Sequence, residues 1–590
     1  MKLTVSKSKN SASFYVQKSI RKPNGSTTTV TIEKLGNIDE VRTKAGGGDP
    51  YVWAQEYVNE LNRKEYEDKK SVIVSYSPSK LISKDEQNLF NCGYLFLQDV
   101  YYKLGLNKIC DEIKKRHSFE YNLNEILSKL VYSRIIYPSS KLSTYAQSRK
   151  FLEQPDFDLH NIYRALSVLA CENDYIQSEL YKNSVKVAER NSSILYYDCT
   201  NFFFEKEEED ELKKYGKSKQ HQPLPIVGMG LFMDGDGIPL AFDIYPGNKN
   251  EQPTLKPLEQ KVIKDFELGN IIVCTDAGLS SAANRRFNDK TINGVQKRSF
   301  ITTQSIKMLP AHLKEFALNC DGWKLPGDDR VYNLNELDSD EYYEQIFYKD
   351  RWITEDLTVK DKEAGTKPLE QHLIVSFSFK YLRYQRRIRQ GQIDRARKRV
   401  ESGEKKRKAK TPNDPNRFIG RMDMTADGEA CSKHEFYLDE DAIRNEEMYD
   451  GFYAVCSNLA DTDVSEVIRI NKRRWEIEEC FRTMKTEFKA RPVYLQKEDR
   501  IKAHFLTCFI ALVIYRLLEK RLDEKYTCEE IIHTLRDMNM FKHSAKSGYS
   551  PAYTRTDLTD RMHETAGFRT DYEIISELSM KKIIRTTKKK

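Results

Sequence analysis

Residues 192–205, SSILYYDCTNFFFE, form the stretch in which the sequence changes from helical to strand patterns. Almost every neighbour of Asp198 in this stretch is apolar or aromatic, which is typical of a strand covered on both faces. A carboxylate in such a strand needs a cation or several hydrogen-bond donors, because leaving it unpaired is costly. Asp198 is therefore either a core aspartate that caps a turn or a functional residue.

The sequence that follows predicts a sheet. Residues 225–248, PIVGMGLFMDGDGIPLAFDIYPGN, contain two apolar strands that meet at the turn DGDG. A helical pattern over 252–267, the apolar strand NIIVCTDAG (270–278), a second helix near 280–289 and the strand SFITTQ (299–304) come next. Three antiparallel strands, a crossover helix and further strands predict a mixed α/β sheet.

Asp276 ends the strand IIVCTD and is followed by Ala277 and Gly278, a tight exit from the carboxyl end of a strand. Ligands of open α/β sheets bind at that edge. Aspartate is also a good N-cap for a following helix. Both interpretations of Asp276 stay open on this pattern alone.

A long helix is predicted from about 463 to 489, and it contains RRWEIEECFRTMK (473–485). At ~100° per residue, Glu478 lies about 40° and Lys485 about 20° from Arg474, so the three share one stripe. On an isolated helix, Arg474 and Glu478 would form only an i,i+4 ion pair worth ~0.2 to 0.5 kcal/mol.

Apolar residues flank that charged stripe, since Ile477, Phe481 and Met484 lie beside it. A charged stripe within an apolar face differs from an ordinary solvated surface. Glu476 and Glu479 point away from the stripe, and we expect them to serve solubility.

Two strand carboxylates and one helix carboxylate, from Asp198, Asp276 and Glu478, can converge on a pair of magnesium ions. Two such ions about 3.5 to 4 Å apart activate a water or a 3′-hydroxyl and stabilise the leaving oxygen of a phosphodiester. Magnesium takes oxygen ligands and keeps water and substrate phosphate in its shell. Arg474 and Lys485 would then lie where backbone phosphates pass.

Pattern shifts divide the chain into segments. Residues 12–35 indicate a hairpin around the turn PNGS, and several helical patterns follow. The predicted segments are 1–75 (hairpin and helix), 76–190 (helical), 191–305 plus 448–490 (mixed sheet and charged helix), 306–447 (a stretch that interrupts the sheet pattern) and 491–590 (helical, with a basic tail).

Composition indicates an ordered soluble protein, with 39% apolar and 32% charged residues and a net charge of +8. The amino terminus has no apolar signal-peptide core, and the apolar stretch 505–518 is too short to span a bilayer, so we expect a buried helix there. The cysteines are scattered singly, which favours reduced thiols in a cytosolic protein. They are Cys92, Cys110, Cys171, Cys199, Cys274, Cys320, Cys431, Cys456, Cys480, Cys508 and Cys528.

The order strand Asp, strand Asp, helix Glu, together with the spacing R-W-x-I-E-x-x-F-x-x-x-K from Arg474 to Lys485, resembles the DDE transposases of bacterial insertion sequences. The likeness is greatest to the insertion-sequence-four group, whose signature is Y-x2-R-x3-E-x6-K. It covers roughly 190–305 and 445–520. The signature tyrosine is replaced by Asn471, which can still donate to a phosphate, so altered contact with the element end is expected rather than lost chemistry.

The resemblance implies a ribonuclease-H-like α/β catalytic core over 191–305 plus 448–490, with a large, mainly β insertion over 306–447 and helical regions before and after it. It implies that the helical segment 76–190 binds the DNA ends. It implies Asp198, Asp276 and Glu478 as ligands of two Mg²⁺ ions, with Mn²⁺ as a substitute. It also implies cleavage of the ends of the element and transfer of the 3′-hydroxyl strands into target DNA. Double-stranded DNA, as terminal inverted repeats and target, and a second copy in a homodimeric synaptic complex are the expected partners, in the bacterial cytoplasm and without a membrane.

Several further residues are predicted to contact DNA. Residues 380–410 contain 14 Lys or Arg against 3 Asp or Glu, and this run, with Arg386 and Arg387, suits a helix that tracks phosphates. A solvated loop is the alternative. Trp323 and Trp352 are considered as platforms for a flipped base, although most tryptophans are core residues.

A loop between the first two strands, GKSKQHQP (216–223), can bring Lys217, Lys219 and His221 near the active edge, with a mobile loop as the alternative. In the preceding helical region, Arg134 or Lys141 is a further candidate for phosphate contact. No helix-turn-helix signature supports a particular recognition helix there.

Two other functions remain open on the sequence. One is a structure-selective nuclease on the same fold, which cuts DNA without joining it. The other is a catalytically idle DNA-binding protein derived from a transposase, which the presence of all three acidic residues disfavours.

Overall fold

The computed structural model describes residues 1–589 except 9–10, 22–26, 69–73, 75, 356, 358, 364, 404–408, 410–412, 424–433 and 544–547. The predicted turn PNGS, Cys431 and part of the basic run therefore lie outside the described residues. The described chain forms two compact units. The smaller unit comprises 1–88, 541–551 and 572–580, and the larger comprises 89–540, 552–571 and 581–590. The five predicted segments remain a prediction.

The smaller unit begins with a three-stranded antiparallel sheet in the order β1-β2-β3. Two helices follow, and Phe14, Val16 and Leu35 from the sheet form a core with Val41 and Val58 from the helices. The elements are β1 (Lys2–Ser8), β2 (Ser11–Arg21), β3 (Thr27–Asn37), α1 (Ile38–Lys44) and α2 (Pro50–Asp68).

The larger unit opens with a short strand and six helices: β4 (Leu89–Asn91), α3 (Tyr94–Lys103), α4 (Leu106–Arg116), α5 (Leu123–Ile136), α6 (Lys141–Ser148), α7 (Leu159–Cys171) and α8 (Asn173–Ser184). Helix α5 is buried along almost its whole length, which explains why its apolar residues occur on every face.

The central sheet follows the helical region. Its first elements are β5 (Ile194–Phe203), β6 (Ile226–Asp234), β7 (Pro239–Pro246), α9 (Leu255–Asp265), β8 (Ile271–Thr275), α10 (Ala282–Phe287), β9 (Lys290–Ile292) and β10 (Val295–Gln304). Strands β7, β6 and β5 are antiparallel neighbours, and β8 and β10 run parallel to β5 in the order β7-β6-β5-β8-β10. This is the strand order of a ribonuclease-H-like core, so the predicted fold class is confirmed.

Four strands of the predicted insertion, together with the core strand that follows it, continue this sheet in the order β12-β11-β13-β14-β17-β10, while β15 and β16 form a separate two-stranded sheet. The elements are α11 (Ala311–Leu318), β11 (Trp323–Leu325), β12 (Asp328–Tyr332), β13 (Phe347–Thr354), α12 (Val359–Glu363), β14 (Glu370–Phe377), α13 (Phe379–Glu401), β15 (Ile419–Asp423), β16 (His434–Leu438), α14 (Glu440–Glu447) and β17 (Phe452–Ser457). Because β17 pairs with both β10 and β14, the insertion and the core share one sheet.

The helix predicted over 463–489 is two helices, α15 (Val464–Lys472) and α16 (Trp475–Thr486). At the junction the N–H groups of Arg473 and Arg474 donate to carbonyls three residues earlier, of Ile470 and Asn471. This tight turn ends one helix and begins the next. The prediction of one continuous helix was therefore wrong at this point.

The chain ends with α17 (Glu498–Arg521), α18 (Cys528–Asp537), β18 (Asn539–Lys542), β19 (Tyr549–Pro551), α19 (Asp557–Ala566) and α20 (Glu577–Thr587). Helix α17 is long and apolar enough to cross a membrane, but 94% of its apolar window is buried inside the protein. It packs against α3, α5 and α7, which accounts for its apolar character as a core helix.

Candidate active site

The two strand aspartates lie side by side at one edge of the sheet. In the parallel pair of β5 and β8, Tyr197 is opposite Thr275. Asp198 and Asp276 each lie one residue further along, so their Cα atoms are about 5 Å apart, the spacing of neighbouring strands. Two carboxylates from distant parts of the sequence therefore share one position in the fold.

Alternation along β5 points Asp198 towards the helices that follow β17. Residues two apart on a strand face the same side. On this side the Tyr196 hydroxyl donates to the Ile470 carbonyl of α15 over 2.8 Å, and the Phe202 ring packs 4.9 Å from the ring of Phe505 in α17. Helix α16, which carries Glu478, lies between these two helices in sequence and packs on β5.

Asp198 is half-buried, and its Oδ1 accepts the backbone N–H of Cys199 over 2.7 Å. Burial raises the pKa of Asp198 to about 6, and the neighbouring charge of Asp276 adds to the rise. The positive charges of Lys219 and Arg474 act in the opposite direction. The site thus holds a carboxylate whose negative charge is poorly stabilised by the protein alone.

Asp276 combines the two roles that the sequence left open. Its Oδ1 accepts the N–H of Leu279 over 3.0 Å and so caps the short helical turn Ala277–Leu279. That bond engages one of its two carboxyl oxygens. Capping fixes the orientation of the carboxyl group beside Asp198 and is compatible with a ligand on the other oxygen.

Arg474 links the helix to the strand carboxylates. Its Nη1 lies 3.1 Å from Oε1 of Glu478. Burial opposes the charge of Arg474, yet Tyr453, Glu478, Asp198 and Asp276 together raise its pKa. The guanidinium therefore lies within electrostatic reach of all three predicted catalytic carboxylates.

Within the part of the chain that the structure describes, no three Asp, Glu, His or Cys side chains converge closely enough to form a metal-ligand group. Glu478 is engaged by Arg474, and its side chain is 59% exposed. The donor chemistry nevertheless fits a hard divalent cation, because Asp198 and Asp276 offer carboxylate oxygens from adjoining positions and repel each other. A cation between them would relieve that repulsion, and Glu478 could join them by leaving Arg474.

Lys485, the other basic residue predicted for the site, lies one residue before the end of α16, and its side chain reaches β5. Its ammonium group donates to the Thr200 hydroxyl and lies 5.5 Å from the centre of the Phe202 ring. Burial lowers its pKa to about 8. Thr200, the partner of Lys485, lies two residues from Asp198 on the same face of β5.

The loop residues differ in their proximity to the site. Lys219 donates to the Cys199 carbonyl and lies 3.3 Å from a carboxyl oxygen of Glu251, which places it beside Asp198. Lys217 has an exposed side chain, and its carbonyl accepts the Asn201 amide. His221 is exposed as well.

Asn471 is buried, and its side-chain amide donates to the Tyr453 hydroxyl over 3.2 Å. That hydroxyl also lies 2.7 Å from Thr303 Oγ1. Tyr453 also helps to raise the pKa of Arg474. Tyr453 of β17 thus places a phenol beside Asn471, the residue that replaces the signature tyrosine. Sequence reasoning missed Tyr453, since a strand tyrosine carries no spacing signal towards a later helix.

The prediction that Trp323 stacks on a base was wrong. Trp323 is fully buried, and its indole N–H donates to the Asn319 carbonyl over 2.9 Å. It packs between Phe377 and Phe452 in the core of the extended sheet, so it cannot reach DNA. Trp352 is 49% exposed and stacks on the imidazole of His372.

An aromatic cavity of about 610 Å³ lies beside Arg474 instead. Among its lining residues are Tyr381 and Tyr384 from α13, Tyr453, and Trp475, whose surface is 59% exposed. Residues of α13 and α15 line this cavity together, an arrangement that no local sequence pattern reveals.

The prediction that Glu476 serves solubility was also wrong. Only 12% of its side chain is exposed, and its carboxylate lies 2.7 Å from Arg473 Nε and 3.8 Å from Arg516 of α17. Packing of α17 on α16 turns a residue predicted to serve solubility into part of a buried ionic cluster. Glu479 pairs with Arg482 at the surface of the same helix.

The described part of the basic run forms α13. Arg386 and Arg387 have exposed side chains, and Arg386 lies 3.8 Å from a carboxyl oxygen of Asp450. Arg389 is different, because it is buried and forms a two-pronged pair with Asp450. The helix therefore presents some cations to solvent and uses another for packing.

The strand order places the larger unit in the ribonuclease-H-like class. Residues 349–514 match the family model of the transposase DDE domain. This stretch of the chain is therefore similar to transposase DDE domains. The match includes Glu478 and Lys485 and leaves Asp198 and Asp276 outside it.

No curated protein matches the chain in sequence. Among solved structures, the piggyBac transposase synaptic complex with hairpin DNA is similar at 9% identity, with 84% of each chain covered and a TM-score of 0.33. A similarity this low supports no conclusion about fold or function.

Proposed function

We propose that the protein is a DDE-type DNA transposase of a bacterial insertion sequence, related to the insertion-sequence-four group. It would cleave the ends of the element and transfer the 3′-hydroxyl strands into target DNA by two-metal-ion phosphoryl transfer. The observation that carries this proposal is the adjacency of Asp198 and Asp276, with Arg474 within electrostatic reach of both and paired with Glu478 of α16. The transposase DDE domain match supports the same class.

Asp198, Asp276 and Glu478 would hold two Mg²⁺ ions, which Mn²⁺ can replace. When bound, the ions activate the attacking oxygen and stabilise the leaving oxygen. The protein supplies the rest: the Leu279 N–H orients Asp276, and the Cys199 N–H orients Asp198. Arg474 would exchange Glu478 for a phosphate of the DNA, because a guanidinium binds either anion in the same fork geometry.

Lysines on the same face would guide the DNA strand towards the carboxylates. Lys219 and Lys485 flank Asp198, and Lys217 and His221 extend the basic loop outward. The exposed arginines Arg386 and Arg387 of α13 would contact phosphates further away. Together they give the strong salt dependence expected of DNA binding.

The aromatic cavity beside Arg474 takes the role first assigned to Trp323. Tyr381, Tyr384 and Trp475 offer ring faces near the arginine, where a base next to the cut can stack. Asn471 and Tyr453 would contact the element end from the same side. The protein would act in the cytoplasm as a homodimer, since two ends must be cut and joined together.

The joining of DNA strands distinguishes a transposase from a nuclease and from an idle DNA-binding protein. Duplexes with precleaved 3′ ends, built from the inverted repeats that flank the gene, are incubated with supercoiled plasmid and Mg²⁺. A transposase yields joined products, whereas a nuclease yields nicked or linear plasmid only. A catalytically idle DNA-binding protein yields a shift in gel mobility without either product, and that result would refute the proposal.

Lys485→Ala is expected to weaken DNA binding and to make its salt dependence shallower. Removing one phosphate contact lowers the slope of log affinity against log salt by about 0.9. The measurement is a fluorescence-anisotropy titration at several salt concentrations. Arg482→Ala is the matched control, because Arg482 lies on the same helix, is 67% exposed and pairs with Glu479. Equal slopes for Lys485→Ala and the wild-type protein would argue against a phosphate contact.

A further inference from the structure

A second basic site lies away from the carboxylates, in a cavity of about 530 Å³ between the helical region and the chain that follows α16. Its basic lining residues are Arg134, Lys141, Lys489 and Arg491. Among the described residues that line it, none carries a carboxylate. A cavity lined by four cations without an acid is suited to an anion.

Two of these cations are buried without a counter-charge. Lys141 is only 4% exposed and Arg134 only 3%. The Lys141 ammonium group, Nε of Arg134 and Nη1 of Arg491 find no hydrogen-bond partner among the described residues. The remaining nitrogens of Arg134 donate to backbone carbonyls, including those of Phe488 and Ser139.

Burying a charge without a partner is unfavourable, so such a group needs a compensating ligand or loses its proton. Burial lowers the pKa of Lys141 to about 7, and the charge of Arg134 adds to this effect. By comparison, the buried ammonium group of Lys129 donates to the Glu153 carbonyl over 2.6 Å. The Lys129 ammonium group thus has a partner within the protein, whereas that of Lys141, a residue that lines the cavity, has none among the described residues.

The neighbouring groups add no negative charge. The His504 imidazole is buried on α17, and burial, together with Arg134 and Lys141, holds its pKa well below the usual range. It is therefore neutral, and its Nε2–H donates to the Ala490 carbonyl over 3.0 Å. Burial also raises the pKa of the neighbouring Cys508 thiol, which therefore adds no negative charge at physiological pH.

The cavity adjoins the end of β5 that follows Asp198. The Arg491 guanidinium lies 5.7 Å from the centre of the Phe203 ring at the end of β5, and the Val493 N–H donates to the Phe203 carbonyl. Arg491 is close enough to Lys485 to lower its pKa. Five residues of strand separate Asp198 from Phe203, about 16 Å, which equals the rise of about five nucleotides of one DNA strand.

We propose that this cavity binds one phosphate group of the DNA strand that enters the active site, with Lys141 as its buried donor and Arg134, Lys489 and Arg491 around it. The inference rests on the proposed function and deepens it, because it assigns a phosphate contact several nucleotides from the cut. The absence of any acid in the described lining distinguishes the cavity from surface lysine patches that carry paired glutamates.

The first test measures anion binding alone. Thermal melting of the full-length wild-type protein is recorded in sodium phosphate and in sodium chloride of equal ionic strength. Phosphate is expected to raise the melting temperature of the wild-type protein and to have no effect on Lys141→Met. Without ligand, Lys141→Met is expected to melt above the wild-type protein, because the variant removes a buried amine that lacks a partner.

The second test measures DNA binding by the full chain. Lys141→Met and Arg491→Met are each expected to lower affinity for duplex DNA about three- to tenfold and to reduce the salt slope by about 0.9. Because Arg491 is only half-buried, Arg491→Met tests the site if Lys141→Met folds poorly. Lys108→Met is the control, since Lys108 is exposed and lines a different cavity together with Glu112 and Glu179.

The outcomes separate the two levels of the proposal. Stabilisation by phosphate with unchanged salt slopes would mean that the cavity takes a free anion, and would overturn the assignment to DNA. No effect of phosphate and unchanged slopes would refute the site altogether. Failure of the wild-type protein to bind DNA, with phosphate stabilisation intact, would refute the proposed function and leave an anion site.

Discussion

Asp198→Asn, Asp276→Asn and Glu478→Gln are each expected to reduce DNA cleavage about 10³-fold or more, equivalent to about 4 kcal/mol of transition-state stabilisation. Each change keeps the size of the side chain and removes the negative charge that would hold a metal ion. Binding to the element ends should remain within about threefold of the wild-type affinity, because most of the affinity comes from phosphate contacts elsewhere.

Cleavage is measured on a labelled duplex with Mg²⁺, and binding is measured in its absence. Chelation of divalent ions should abolish cleavage by the wild-type protein, and added Mn²⁺ should restore it. Glu476→Gln is the control, because Glu476 neighbours Glu478 in sequence and pairs with Arg473 rather than facing the aspartates. Substantial nicking by any of the three variants would contradict the assignment. An equal loss of cleavage in Glu476→Gln, with that variant folded, would contradict it as well.

Arg190→Met is expected to lower the free energy of unfolding of the larger unit by about 3 to 5 kcal/mol. Nε of Arg190 lies 2.6 Å from a carboxyl oxygen of Asp234, and both side chains are almost completely buried. Asp234 also accepts the N–H groups of Asp236 and Ile238 and thereby holds the turn between β6 and β7. Removal of the arginine leaves a buried carboxylate without its cation.

Denaturant unfolding measures this loss, and the exposed pair of Arg469 and Glu466 provides the control. Those groups lie 2.7 Å apart, but the arginine side chain is 66% exposed, so Arg469→Met should cost only about 0 to 1 kcal/mol. The double variant Arg190→Met with Asp234→Asn should recover part of the lost stability. If Arg190→Met lowers the free energy of unfolding by less than about 1 kcal/mol, the pair behaves as a solvent-exposed ion pair, and the prediction is wrong.

Strand patterns carried most of the information about the fold. The apolar runs around Asp198 and Asp276 predict strands covered on both faces, and the structure has β5 and β8 at the centre of the sheet. Asp276 could be recognised as the end of its strand because Ala277 and Gly278 follow it directly. The pairing of the two aspartates follows from parallel strands that share one edge.

The residues around the carboxylates were less accessible to sequence reasoning. Spacing along α16 gives the Arg474–Glu478 pair, since four residues make about one helical turn. Tyr453 reaches the same place from β17, and the aromatic cavity needs α13 beside α15. Those neighbours are set by strand order in the extended sheet.

The sequence by itself determined the mixed α/β class and the elements that carry the acidic residues, because hydrophobic periodicity and strand exits are local properties. Only the tertiary structure decided which charged and aromatic side chains are covered. It buries Trp323 in the sheet core and Glu476 under α17, and it encloses Lys141 without an acid. Burial depends on which distant element packs on a residue, and local periodicity does not encode that partner.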